Sequence, residues 1–132
     1  MIIKPYKKNR LIIVVILFYS LIGTGCMKNK LLKLDAESIR HELLQQTPIG
    51  TSLNDVEKNL KSKGLSPRVS LNTGFLKQEK GSTKVVGSQF IRANLGEYRS
   101  SLFLITSVSA FWGFNENGKL IEIWVWKTQD GP

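Results

Sequence analysis

Few side chains in this sequence are of the kinds that do chemistry, and their spacing narrows what that chemistry can be. Among 132 residues there is one cysteine, Cys26, and one histidine, His41. A structural zinc site draws its ligands from clustered Cys and His, and one of each cannot supply such a cluster, so no metal is expected. His41 sits beside Glu42 in a helix-forming stretch, where a lone imidazole is a surface group rather than a catalyst. Serines are frequent, yet no Gly-x-Ser-x-Gly elbow occurs and no base accompanies any of them. Asp55 and Glu57 fall in the first turn of an expected helix, where the macrodipole accounts for them. Gly74, Gly81 and Gly87 are too dispersed to cradle a phosphate. No catalytic residue and no cofactor is expected, and the chain is read as a non-enzyme. Two features remain. Cys26 stands directly behind an apolar block and reads as a lipid-attachment site, and Phe111, Trp112, Phe114, Trp124 and Trp126 crowd a short segment, as a binding surface does.

The elements that place Cys26 are those of an export signal. Lys4, Lys7, Lys8 and Arg10 precede Leu11 to Ile22, an apolar run broken only by Tyr19 and Ser20. A spanning helix needs about 20 apolar residues, and Gly23-Thr24-Gly25 interrupts this block sooner. Leu21-Ile22-Gly23-Thr24-Gly25-Cys26 resembles the bacterial lipobox, although Gly23 stands where an aliphatic residue is usual. The resemblance implies that residues 1–25 are a signal peptide and that Cys26 is acylated and becomes the mature N-terminus. An uncleaved anchor and plain secretion are the alternatives. With one cysteine no intrachain disulfide can form, so the exported domain depends on its core. Several acyl chains on one cysteine hold a membrane durably, whereas one holds weakly.

Residues 26–34 are expected to form a short lipidated tether and residues 35–132 a single domain, a size that commonly folds alone. Four of the nine net positive charges belong to the signal, so the mature excess is modest. Lys28, Lys30 and Lys33 are best placed to meet anionic lipid. Asp35 is placed to cap a helix to Gln46, with Ile39, Leu43 and Leu44 as its apolar stripe and Pro48 ending it. Ser52, with Asp55 after it, starts a second helix carrying Leu53, Val56 and Leu60, which Gly64 closes. Residues 66–82 read as a loop or a weak edge strand around Val69 to Phe75. Strands are expected at Val85 to Leu95, Leu102 to Phe114 and Lys119 to Lys127, with Asn115-Glu116-Asn117-Gly118 as a hairpin turn. In the last strand Ile121, Ile123 and Val125 form an aliphatic face, and Leu120, Glu122, Trp124 and Trp126 the other. The expected fold class is α+β: two short N-terminal helices packed on one face of an antiparallel three- to four-stranded meander sheet.

Ile49-Gly50-Thr51-Ser52 ahead of Val56, with Gly64-Leu65-Ser66-Pro67 at the following turn, resembles the SmpA/OmlA group of small envelope lipoproteins, whose fold is shared with β-lactamase-inhibitor-protein-like domains. The resemblance covers roughly residues 49–127 and implies a non-catalytic envelope protein that docks a protein partner. Trp112, Trp124, Trp126, Tyr98 and Arg92 are the expected binding residues. The partners expected are a membrane, through acylated Cys26, and a protein; nucleic acid is not. Met27, where an Asp would retain such a protein in the inner membrane, leans towards the outer membrane facing the periplasm. The alternatives are an inhibitor or immunity-type protein that neutralises an exported enzyme or toxin, and a small-ligand binder of the cell envelope.

Overall fold

The computed structural model describes residues 26–130. The expected signal peptide, residues 1–25, lies outside them, as does the acceptor side chain of Cys26. The domain is mixed α+β, with three helices, a four-stranded antiparallel sheet and a two-stranded antiparallel sheet. The helices are α1 (Cys26–Lys33), α2 (Ala36–Gln46) and α3 (Leu53–Ser62).

Local chemistry sets the helix ends. Asp35 accepts the Ser38 amide hydrogen at 2.8 Å, and Ser52 accepts that of Asp55 at 3.2 Å, so each new helix has an orphan donor satisfied. Thr47 closes α2 with its amide and its hydroxyl both donating to the Leu43 carbonyl. The following segment is tied to the start of β6 through Gly50 N–H to Leu120 O and Leu120 N–H to Thr51 O, both 2.8 Å.

The strands are β1 (Arg68–Ser70), β2 (Phe75–Glu79), β3 (Ser82–Val86), β4 (Gln89–Arg99), β5 (Ile105–Phe114) and β6 (Leu120–Asp130). The four-stranded sheet runs β1-β4-β5-β6, a meander of three long strands with β1 on its edge. Asn115 closes the β5–β6 turn, its side-chain oxygen accepting from the amides of Asn117 and Lys119 at 3.0 Å each. The strand expected over Val85 to Leu95 is two strands. Gly87 adopts φ +76°, and a Cβ there would stand 2.7 Å from the Phe114 carbonyl oxygen, so the chain turns sharply and β2–β3 peels off as a hairpin.

One sheet face carries the main core. Ile39 and Leu43 of α2 and Val56 and Leu60 of α3 belong to one buried cluster with Ile91, Ala93, Leu95, Val108, Ala110, Trp112, Phe114, Leu120, Ile123 and Val125. Two β-bulges decide which residues reach it. In β4 the register shifts between Asn94 and Gly96, leaving Leu95 unopposed, and the alternation reverses so that Tyr98 falls on the cluster side. In β5–β6, Gly113 pairs with Glu122 but Phe114 pairs with Leu120, so Ile121 is the extra residue. Leu120 therefore turns into the core while Ile121 is exposed. The expected membership of these two residues is thus exchanged by one inserted residue.

The expected tether also differs. It is helical over Cys26–Lys33, and Leu32 is buried in the same cluster. The Lys127 ammonium donates to the carbonyls of Leu32, at 2.9 Å, and Leu34, and to the Tyr98 hydroxyl at 3.1 Å. The end of α1 is thereby pinned to β4 and β6.

Candidate partner-binding surface

The second face of the sheet is aromatic, and the hairpin covers part of it. Cross-strand register sets Phe90, Gly113 and Glu122 in one row, Arg92, Phe111 and Trp124 in the next, and Asn94, Ser109 and Trp126 in the third. Residues in one row share a face and touch. Phe75 of β2 lies over these rows, with its ring centroid 5.4 Å from Phe111, 6.0 Å from Trp124 in a stacked geometry, and 6.2 Å from Phe90 edge-on. Gly113 makes this approach possible: a Cβ there would stand 2.9 Å from the Phe75 ring and 3.0 Å from a Val86 methyl. Phe75 and Val86, partners in the hairpin, are both buried against the sheet.

An ion-pair cluster closes the hairpin's polar side. Lys77 lies 3.2 Å from both Glu79 and Glu122. Burial disfavours its ammonium, but the two carboxylates outweigh that effect and hold its pKa above the ordinary lysine value.

Beyond the hairpin the aromatic face is open. Trp126 is 37% exposed, and its ring packs on half-buried Trp124 at 5.1 Å. Arg92 is exposed with its guanidinium 5.6 Å above the Phe111 ring. Arg68 of β1 pairs directly with Arg92, so two arginines stand side by side, and among the described residues neither forms an ion pair. Like charges opposite one another on adjacent strands cost stability. The open surface is therefore a tryptophan pair on β6 and two uncompensated guanidinium groups on β4 and β1, with Phe111 and Ser109 of β5 between them.

The five residues expected to form one site are divided between the two faces. Trp124, Trp126 and Arg92 come together on the open one. Trp112 is 1% exposed within the main core, where its indole N–H donates to the Thr47 hydroxyl at 3.3 Å, as a buried tryptophan requires. Tyr98 lies on the Trp112 side because of the β4 bulge. Arg68, and Phe75 with its ring buried beneath the hairpin, are not among the expected binding residues. The signal for Phe75 was Gly113, a glycine inside an aromatic strand, which marks a close approach.

The chain matches no protein-family model, no curated protein and no solved structure. Among the described residues no group of three or more His, Cys, Asp and Glu is gathered as a metal site would be, and His41 is exposed on α2. Among the described residues no helix is long and apolar enough to cross a membrane.

Proposed function

We propose that this protein is a non-enzymatic, lipid-anchored protein of the bacterial cell envelope that binds a protein partner through the open part of its aromatic sheet face. The anchor rests on the lipobox-like sequence ending at Cys26. In this reading residues 1–25 are removed, α2 and α3 cover the Trp112 face of the sheet, and the Trp126 face is presented away from them. The likeness to SmpA/OmlA lipoproteins, through Ile49-Gly50-Thr51-Ser52, Val56 and Gly64-Leu65-Ser66-Pro67, points to the same class of envelope protein.

The observation that carries the binding reading is Trp126, which keeps more than a third of its surface exposed beside Trp124 while Arg68 and Arg92 stand without an ion pair in the adjoining row. Trp and Arg are the residues that dominate interface energetics. The fitting partner surface is apolar at its centre, to bury the indole, and acidic at its rim.

The test is co-purification with tagged full-length protein at native expression, read by quantitative mass spectrometry together with the mass of the N-terminal peptide. Trp126→Ala is the informative variant, because Trp124 also supports the stack with Phe75. The reading expects an acylated N-terminal cysteine and a partner lost from both Trp126→Ala and Arg92→Ala. Equal recovery from wild type and both variants contradicts it.

A further inference from the structure

The connection between β4 and β5, residues 100–104, carries the most exposed large apolar side chains of the described domain. Leu102 is 81% and Phe103 72% exposed. The loop is held tightly: the Ser100 amide donates to the Leu104 carbonyl at 2.9 Å and its hydroxyl to the same oxygen at 3.2 Å. Two apolar side chains at the tip of a hydrogen-bonded loop are displayed to the exterior, and isolated exposed residues are common where adjoining ones are not. Ile105, next in the chain, and Leu34, beyond α1, are also exposed.

The placement of α1 relates this tip to the start of the domain. The end of α1 is fixed by Lys127 to Tyr98, and Tyr98 pairs with Thr106, one row inside the Arg99–Ile105 pair that borders the loop. At about 3.3 Å per strand residue, this row is within about 7 Å of the loop end of the sheet and some 30 Å from the Asn115–Lys119 turn. From Leu32 back to Cys26 a helix rises only about 9 Å. The chain therefore enters the domain from the half of the sheet that ends in Leu102 and Phe103, and the apolar block Leu11 to Ile22 immediately precedes that entry.

We infer that Leu102 and Phe103 form a second membrane contact, inserting into the interfacial layer of the bilayer to which the N-terminal segment holds the protein. This rests on the anchor reading given above. Leu and Phe are the side chains that amphipathic membrane-surface elements bury just below the headgroups. Lys30, Lys33 and Arg99 are exposed near the same end and can meet anionic headgroups, while Asp130 beside Ile105 offsets part of that charge. Apolar insertion rather than net charge is the larger contribution. Held at both points, the domain stands with its sheet axis away from the bilayer and its Trp126 face turned sideways, open to a partner in the same compartment.

The test uses full-length protein reconstituted into bilayers of phosphatidylglycerol and phosphatidylcholine, with and without bromine on the acyl chains. The emission added by Phe103→Trp is compared with that added by Asn117→Trp at the opposite end of β5. Both positions are exposed loop sites, so both variants keep the fold. The expected result is that brominated lipid quenches the emission added at position 103 about twofold or more and leaves that added at 117 unchanged, as insertion to the acyl boundary requires. Protein that floats with the bilayers but shows no quenching at 103, or equal quenching at both sites, overturns the inference while leaving the anchor intact. Protein that fails to float with the bilayers overturns the anchor and the inference with it.

Discussion

Replacing Phe75 by Ala tests what holds the hairpin over the aromatic face. The ring is buried against Phe90, Phe111 and Trp124, and removing a buried Phe side chain costs about 3–5 kcal/mol. The remaining ties are the smaller Val86 side chain, buried against Gly113, and the Lys77–Glu122 ion pair, a partly exposed contact of the kind that contributes about 0–1 kcal/mol. Without the ring only Val86 and the ion pair hold the hairpin, so β2–β3 loosens at the Phe75 end and uncovers Trp124. For a domain of about 100 residues each kcal/mol corresponds to about 4–8 °C, so a loss of 3 kcal/mol lowers the melting temperature by about 12 °C or more. Circular dichroism on heating reads the shift. Tryptophan emission at low temperature should move to the red, since Trp124 gains water while Trp112 stays buried with Thr47. Phe75→Leu, which keeps part of the volume, should give a smaller loss. A melting temperature within about 5 °C of wild type, with unchanged emission, would refute the assignment of Phe75 as the anchor.

Gly113→Ala places a methyl group 2.9 Å from the Phe75 ring and 3.0 Å from Val86, and should destabilise by about 1–3 kcal/mol in a denaturant titration; an unchanged midpoint would show that the hairpin yields freely. The Thr106 hydroxyl is buried without a hydrogen-bond partner among the described residues, so Thr106→Val should stabilise by about 1 kcal/mol, and a loss of that size would show that the hydroxyl is satisfied. Hydrogen bonding from the Ser38 side chain and amide holds the Asp35 carboxyl below its ordinary value of 3.8. The sign follows from that depression: the stabilisation is present above the unfolded value and is lost as the pH falls through the folded one. Protection factors of the first α2 amides, taken relative to their intrinsic exchange rates at each pH, should therefore fall on acidification, and Asp35→Asn, which keeps an acceptor but cannot titrate, should flatten that dependence.

What could be read from the sequence is what is decided within a few residues. Asp35 and Ser52 cap helices because a side-chain oxygen three residues before an orphan amide satisfies it wherever the helix later packs. Asn115 to Gly118 makes a hairpin turn for a similarly local reason, and the meander of the last strands follows from their period-2 pattern. The bulges at Leu95 and Ile121 escaped because alternation presumes one residue opposite one residue. One extra residue in each strand moves Tyr98 in β4, and Leu120 and Ile121 in β6, to the faces opposite those that counting gives. The covering hairpin escaped because only Phe75 and Val86 of its strands are buried, while the rest is polar or exposed and reads as loop. At the candidate surface, Trp124, Trp126 and Arg92 were identifiable by type, and their junction with Arg68 required the pairing of β1 with β4. Trp112 is the same residue type in the same segment, and only its neighbours in space show it to be core.

The proposed function requires that the open Trp126 face meet a protein. A photoreactive phenylalanine analogue placed at position 126 of the full-length chain, in living cells at native expression, tests it most directly, with Lys58 on the exposed side of α3 as the reference position. A discrete protein adduct is expected from position 126, absent from position 58 and lost when Arg68 and Arg92 are both changed to Glu. Adducts of equal yield from both positions, or none from position 126, would contradict it.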